Sequence, residues 1–291
     1  MNRSYQLPMV VALKEAASYF AGATNWFRRM EKAVRLTHRI ARWSYLQLFG
    51  SGGIVDQGRH IYYNLIHDGW CSTQIGNEWF EFRCSTVAET RRATVALRTE
   101  RKIIEQLSFI CEPGMTVFDI GANVGTHALP IAATVGDSGM VVCFEPHSET
   151  FNGLVANVER NRAENVQTEQ FALGATTGTT ELFIEHNESG VGSHSLCQRN
   201  PQFETTECID VTTGDEFVSS RGLVPDLMKI DVEGGETDVL NGFRNTLAKH
   251  HPVLSIEIHA SVSHEEIRNE LAEYGYSLSK MSKRKNIVLA E

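Results

Sequence analysis

Two acids and a pair of glycines stand where a nucleoside cofactor could be held. The run Val117-Phe-Asp-Ile-Gly-Ala-Asn-Val-Gly-Thr126 puts Asp119 just ahead of Gly121 and Gly125, at the end of an apolar strand-like stretch. Glu145 follows a second such stretch, 20 residues after Gly125. A carboxylate at a strand end can accept both ribose hydroxyls of a nucleoside. The glycines allow a sharp turn and close approach of the backbone to a ligand. A dinucleotide site asks for G-x-G-x-x-G with a pyrophosphate on the helix N-terminus. Here the spacing is G-x-x-x-G, and Asp119 would oppose a pyrophosphate. S-adenosylmethionine carries an ammonium and a sulfonium instead, and an acid beside it is favourable. An ordinary strand-turn-helix accounts for the glycines alone but not for Asp119 and Glu145 in register with them.

A second group of residues could act on an acceptor. Asp231 ends the apolar run 227–230, and Glu233 and Glu236 follow at the start of a helix. Acids there also suit a helix dipole, which is sufficient explanation for Glu236. Glu257 and His259 close another strand, and residues two apart in a strand share a face. Asp231, Glu257 and His259 therefore converge in expectation beside the reacting methyl group. Either His259 or Asp231 removes the acceptor proton, or Asp231 and Glu257 hold a divalent cation such as Mg²⁺ that acidifies the hydroxyl. The metal-free version is preferred, because two carboxylates and one histidine are a sparse ligand set. His127, in the first helical turn after the glycines, either lines the methionine pocket or has a capping or surface role. The polar, glycine-rich segment 189–195 is expected to shape the acceptor pocket, with His194 as another candidate base. Trp70, Tyr62, Tyr63 and Pro225 read as packing residues.

The elements that must position these groups alternate from residue 115 onward. Strands are expected over 116–120, 140–144, 166–172, 179–185, 207–211, 227–232 and 253–258. Helices are expected from 126, over 148–161, from 236 and over 264–274, with a C-terminal hairpin over 276–289. Repeated β-α units imply an α/β fold with a mostly parallel sheet, helices on both faces and ligands at the strand C-terminal ends. Upstream, a helix over 91–110 and a hairpin of 73–75 with 79–83 are expected. Residues 1–100 thus form a helical extension with a small hairpin, a cap or oligomerisation region, ahead of a catalytic domain at 101–291.

The chain has 291 residues and a formal charge of −9, which makes nucleic acid a poor partner. The charge is uneven, +6 over residues 1–50 and −15 over the rest. Apolar residues recur at helical spacing over 24–48, with most of the basic residues off that stripe. This amphipathic helix packs on the domain or a second subunit, or offers a surface to an anionic membrane, touched peripherally, or to an acidic partner. No run reaches the ~20 apolar residues of a membrane span. Six cysteines without a C-x-x-C pair indicate no zinc ribbon, and with Cys111 and Cys143 in apolar runs they fit a reducing cytoplasm.

From about Arg101 to the end, the sequence resembles the FkbM-type methyltransferases. The resemblance is carried by Phe118-Asp-Ile-Gly-Ala-Asn-Val-Gly125, Phe144-Glu-Pro146, Phe171-Ala-Leu-Gly174, Lys229-Ile-Asp-Val-Glu-Gly-Gly-Glu236 and Ile256-Glu-Ile-His259. Five motifs in order are far more specific than the first alone. The resemblance implies a class I methyltransferase fold, S-adenosylmethionine as cofactor, and O-methylation of sugars or other small natural-product hydroxyls. It puts Asp119, Gly121, Asn123 and Gly125 at the cofactor turn, with the first two beside the methionine part. By the same resemblance Glu145 holds the ribose and the turn near Ala172 borders adenine. Amino-group methyltransferases often carry Asn/Asp-Pro-Pro-Tyr after the fourth main strand, and its absence favours oxygen as acceptor. A nicotinamide-dependent oxidoreductase and a non-catalytic cofactor-fold protein stand as the alternatives.

Overall fold

The structure, a computed structural model, describes residues 53–185, 194–195, 203–281 and 287–291. The expected helix over 24–48, with its membrane and dimer roles, lies outside the described residues, as do Cys197, most of the 189–195 loop and the His194 side chain. The compact unit described below is Asp56–Glu291.

It begins within α1 (Gly53–Ile66) and continues with the hairpin β1 (Trp70–Ile75) and β2 (Glu78–Arg83), turning at Gly76-Asn77. A helix then begins earlier than its apolar periodicity suggests. Thr86 accepts from the Glu89 N–H, and Glu89 reaches back to the Thr86 N–H, a reciprocal cap that starts α2 (Val87–Arg91). A π-turn over Arg92–Ala96 separates α2 from α3 (Leu97–Ile110).

The alternating region supplies β3 (Thr116–Ile120), α4 (Ala128–Val135), β4 (Met140–Phe144), α5 (Ser148–Arg160) and β5 (Val166–Glu169). It continues with β6 (Ala172–Leu173), β7 (Gly178–Glu185), β8 (His194–Ser195), β9 (Phe203–Thr212) and α6 (Gly214–Arg221). The chain ends with β10 (Leu227–Ile230), α7 (Glu236–Gly242), α8 (Arg244–His250), β11 (Val253–Glu257), α9 (His264–Glu273), β12 (Leu278–Lys280) and β13 (Ile287–Ala290).

Seven strands form one sheet in the order β12-β13-β11-β10-β3-β4-β5, parallel from β5 to β11, with β13 antiparallel to both its neighbours. Period-2 alternation assigns the two faces. Phe118, Ile120, Val142, Phe144, Met228 and Ile230 pack under α6, α8 and α9, whereas Val117, Val141, Cys143 and Leu227 pack under α3, α4 and α5. Cys111 and Cys143 are buried free thiols. β6, β9, β7 and β8 form a second, smaller sheet.

The hairpin β1–β2 is tied to α5. Asn161 and Asn157 accept from the N–H groups of Glu81 (2.9 Å) and Arg83 (2.7 Å). The Asn157 amide also donates to the Val124 carbonyl in the turn after β3, at 2.8 Å. No described helix is long and apolar enough to cross a membrane.

Candidate active site

β3 and β4 lie side by side, and the turn after β3 is held against the end of β4. The N–H groups of Gly121 and Ala122 both donate to the Phe144 carbonyl at 3.0 Å. Gly121 has φ +77°, and a Cβ there would lie 1.9 Å from the Asp231 carbonyl oxygen, so no side chain fits. That close approach draws β10 against the turn. Asn123 takes a left-handed φ of 50° and turns its N–H to Glu145 Oε2 at 3.0 Å. Glu145 Oε1 accepts from the His147 N–H, also at 3.0 Å. Burial pushes the Glu145 pKa up to about 7, against the two backbone donors that favour its charge. Each oxygen keeps acceptor capacity for a further hydroxyl.

Glu145 lines a cavity of ≈ 410 Å³ at the C-terminal edge of the sheet, with Gly121, Asn123, Ala172 and Asp231. Phe171, Leu173, Leu182 and Val211 give one part of it an apolar wall. Glu100, Glu145, Asp231, Glu233 and Asp238 outnumber the cations Arg92 and Lys229 along it.

Asp119 and Gly125 do not line this cavity, which corrects two expectations. The register pairs Lys229 with Asp119 across β10 and β3, and period 2 turns both side chains to one face. Asp119 is fully buried, with the Lys229 Nζ 3.0 Å from its Oδ1. The same ammonium donates to the Gly121 carbonyl at 2.9 Å and lies 3.6 Å from Asp231 Oδ2. Burial works against the Lys229 charge, but Asp119 and then Asp231 outweigh it and hold its pKa above the ordinary lysine value. The Asp119 charge is therefore met by a lysine, not held open for a sulfonium. Gly125 serves the turn: it has φ +83°, and a Cβ there would come within 2.9 Å of Leu154 Cδ1 in α5.

On the other side of β3, the loop after β10 meets the segment after β11. His259 Nδ1 lies 2.6 Å from Oε1 of Glu236, and its Nε2 lies 3.2 Å from Glu233 and 3.8 Å from Asp231. Glu236 is fully buried and also accepts from the Gly234 N–H at 3.1 Å, so it does more than suit a helix dipole. Burial alone would lower the His259 pKa. The hydrogen bond to Glu236 and the charges of Glu233 and Asp231 outweigh burial and raise it to about 9. Burial raises the Glu233 pKa, with His259 opposing.

Asp231, Glu233 and His259 bring ligand-type atoms within 4.8 Å of one another. Glu257 is not in that group, contrary to the expected pairing with Asp231. The strand ends at Glu257, so His259 lies beyond the pleat and the same-face rule does not reach it. Glu257 instead pairs with Ile287 in the register with β13.

His127 lines the cavity as the residue before α4 and is 8% exposed, with Nε2 3.8 Å from Glu100. Burial, then the Lys229 charge, lowers its pKa below the ordinary histidine value.

Sequence reasoning missed Lys229, Arg92 and Glu100, and it named Glu233 without bringing it to His259. Lys229 had a signal, a lone cation inside an apolar strand run, which is rarely buried without a partner. Arg92 had none, because the π-turn that carries it leaves no mark on the apolar spacing.

Five parallel strands extended by an antiparallel β13, with the cavity over the break between β3 and β10, define a class I S-adenosylmethionine-dependent methyltransferase fold. The chain belongs to the FkbM methyltransferase family, whose Methyltransferase FkbM domain matches residues 119–278. It is 30% identical over 196 residues to the hexuronic acid methyltransferase AglP of Haloferax volcanii, covering 66% of this chain and 77% of that protein. It is 31% identical over 148 residues to methyltransferase 1 of Beauveria bassiana, covering 43% of this chain and 57% of that one. A similar solved structure is the FkbM methyltransferase of Methylobacillus flagellatus, at 18% identity and TM-score 0.45, covering 70% of this chain and 54% of the other.

S-adenosylmethionine suits the residues present. Glu145 would offer two oxygens to ribose hydroxyls beside an apolar wall for adenine, and the acidic lining favours a cation over a pyrophosphate.

Proposed function

We propose that this chain transfers a methyl group from S-adenosylmethionine to a hydroxyl of a small molecule, a sugar or a related metabolite. S-adenosylmethionine supplies a methyl group already activated by its sulfonium, so the protein's work is alignment, exclusion of water and disposal of the acceptor's proton. The observation that carries the reading is the cluster of proton-handling groups beside the cofactor turn, with Asp231 on the cavity wall and His259 behind it. The relative in Haloferax volcanii acts, by its name, on a hexuronic acid, which supports a sugar as the acceptor class.

Asp231 takes the proton in this reading. Of the two expected bases it is the one that lines the cavity, and His259, with its pKa raised to about 9, is already protonated at neutral pH. The imidazolium orients Asp231, and Glu236 fixes the ring through Nδ1. A carboxylate suffices because the attacking oxygen becomes acidic as its bond to the methyl carbon forms.

The test is to incubate the protein with S-adenosylmethionine and a panel of neutral and acidic sugars. Release of S-adenosylhomocysteine together with an alkali-stable gain of one methylene is expected. An alkali-labile methyl ester would replace the hydroxyl with a carboxylate as acceptor. Methylation confined to amines would overturn the oxygen reading. The pH-rate profile separates the bases. If Asp231 accepts the proton, the rate holds from about pH 6 to 8 and falls as His259 loses its proton. A rate that climbs through about pH 9 assigns the role to His259.

A metal-assisted reading is favoured by the convergence of Asp231, Glu233 and His259 within 4.8 Å. The buried Glu236 on the other ring nitrogen is the partner that metal-bound histidines usually have. Activity that survives exhaustive EDTA treatment dismisses it, and loss reversed by Mg²⁺ or Mn²⁺ establishes it.

A further inference from the structure

Two side-chain cations line the cavity, against the five carboxylates of Glu100, Glu145, Asp231, Glu233 and Asp238. Lys229 is engaged: its ammonium meets Asp119, Asp231 and the Gly121 carbonyl. His127 adds no third charge, since burial holds its pKa below the ordinary histidine value. The Arg92 guanidinium is partly buried and makes no hydrogen bond or ion pair among the described residues. Arg92 stands ahead of the family segment, which begins at Asp119, and opens the π-turn between α2 and α3. Ala93 and Leu97 are buried in the core beneath the hairpin, so packing holds that turn in place. π-turns of this kind cluster at functional sites. A cation fixed among carboxylates, yet paired with none of them, is free to receive an anion that arrives with a ligand.

The field of Arg92 reaches both sides of the cavity. It favours the charge of Glu145 on the ribose side and that of Glu233, 3.2 Å from His259 Nε2, on the acceptor side. The cofactor brings one carboxylate of its own, and the chain offers that group another partner. The N–H groups of Thr126 and His127, at the start of α4, hydrogen-bond to nothing among the described residues, although both residues are buried and line the cavity. Backbone donors at the positive end of a helix, beside the cofactor turn, suit a carboxylate. The guanidinium is a second anion-seeking group, in excess of what the cofactor needs.

We propose that Arg92 selects an acceptor that carries a carboxylate besides the hydroxyl to be methylated, the guanidinium gripping that carboxylate through its paired N–H groups. The planar fork matches a carboxylate bidentately. A doubly charged phosphate would match it too, but the five carboxylates of the lining repel two charges more than one. This inference rests on the proposed transfer to a hydroxyl and narrows its acceptors to sugar acids and related hydroxy acids.

The experiment pairs each sugar acid with the neutral sugar of the same configuration, glucuronate with glucose and galacturonate with galactose, on the full chain with S-adenosylmethionine. The parent should prefer the acid by about 10-fold or more in kcat/KM, and Arg92→Gln should erase that preference through the acceptor KM while S-adenosylhomocysteine binds within about 2-fold of the parent. Arg92→Lys, which keeps the charge but not the fork, should recover part of the preference. A parent that treats acid and neutral sugar alike overturns the inference, as does a preference that survives Arg92→Gln. So does an Arg92→Gln variant that weakens S-adenosylhomocysteine but not 5′-methylthioadenosine, which lacks the amino-acid end, because the guanidinium then belongs to the cofactor. None of these results touches the transfer to a hydroxyl itself, which fails separately if only amines are methylated. If no sugar of the panel turns over, the same pairs are titrated into the S-adenosylhomocysteine-bound protein. Tighter binding of the acid that is lost in Arg92→Gln then supports the inference, and equal or absent binding of acid and neutral sugar overturns it.

Discussion

Glu145 and Asp231 each follow the last residue of a strand, β4 and β10, on either side of β3. Their surroundings differ. Glu145 is gripped by two backbone N–H groups, whereas Asp231 stands between two side-chain cations, Lys229 and His259. Backbone donors neither titrate nor swing away, so the ribose side of the cavity is fixed by chain geometry. The acceptor side is fixed by charges, and charges change with pH and with mutation. Under the proposed function the division is the same: the first side recognises the cofactor and the second handles the proton.

The harshest way to break this contrast is to remove the cation that links its halves. Lys229→Met leaves Asp119 as a buried, unpaired charge and should cost about 3–5 kcal/mol of stability in urea titration. Adding Asp119→Asn should recover most of that loss. Next in size are the kinetic effects. His259→Ala should lower kcat by about 100-fold, with S-adenosylhomocysteine affinity within about 2-fold. Glu145→Gln should do the reverse, weakening the cofactor far more than it slows saturated turnover.

The pH dependence should be visible on the acceptor side by equilibrium unfolding. The His259 pKa is raised on folding, so its contribution to stability is fully present below the ordinary histidine value of 6.5. That contribution is lost as pH climbs through about 9, and His259→Ala should flatten this part of the profile. On the ribose side, the Glu145 pKa stands near 7, and a ligand that donates hydroxyls favours the ionised form. S-adenosylhomocysteine binding at pH 7 should therefore release a fraction of a proton, read as a binding enthalpy that differs between phosphate and Tris buffers. The release should vanish near pH 9. The smallest effect is expected for Glu257→Gln, within about 2-fold on kcat, because Glu257 stands outside the cluster.

The ribose side was legible because its parts lie near one another in the chain. Gly121, Asn123 and Glu145 come from adjacent strand-turn units, and their spacing encodes their meeting. The acceptor side joins residues whose proximity depends on strand register and on a loop. Asp231 and His259 could be placed at neighbouring strand ends. Glu233 could not, because its φ of 53° is unusual for a residue other than glycine. Glu257 was misplaced because strand periodicity was carried past the end of the strand. Asp119 was recognised as important for an electrostatic reason that its cross-strand neighbour reverses. The β-α alternation, the hairpin and the buried strands followed from apolar spacing, but the reversed direction of β13 was not part of that reading.

Asn157 carries a consequence of a different kind. One end of its amide receives the hairpin and the other steadies the turn after β3, although the hairpin precedes the segment that defines the family. A trimmed polypeptide starting at Asp119 would leave this fully buried amide half satisfied and strip a wall from α5. Transplanting the catalytic segment onto another scaffold would therefore require carrying the two upstream ribbons along, or rebuilding the contact they make.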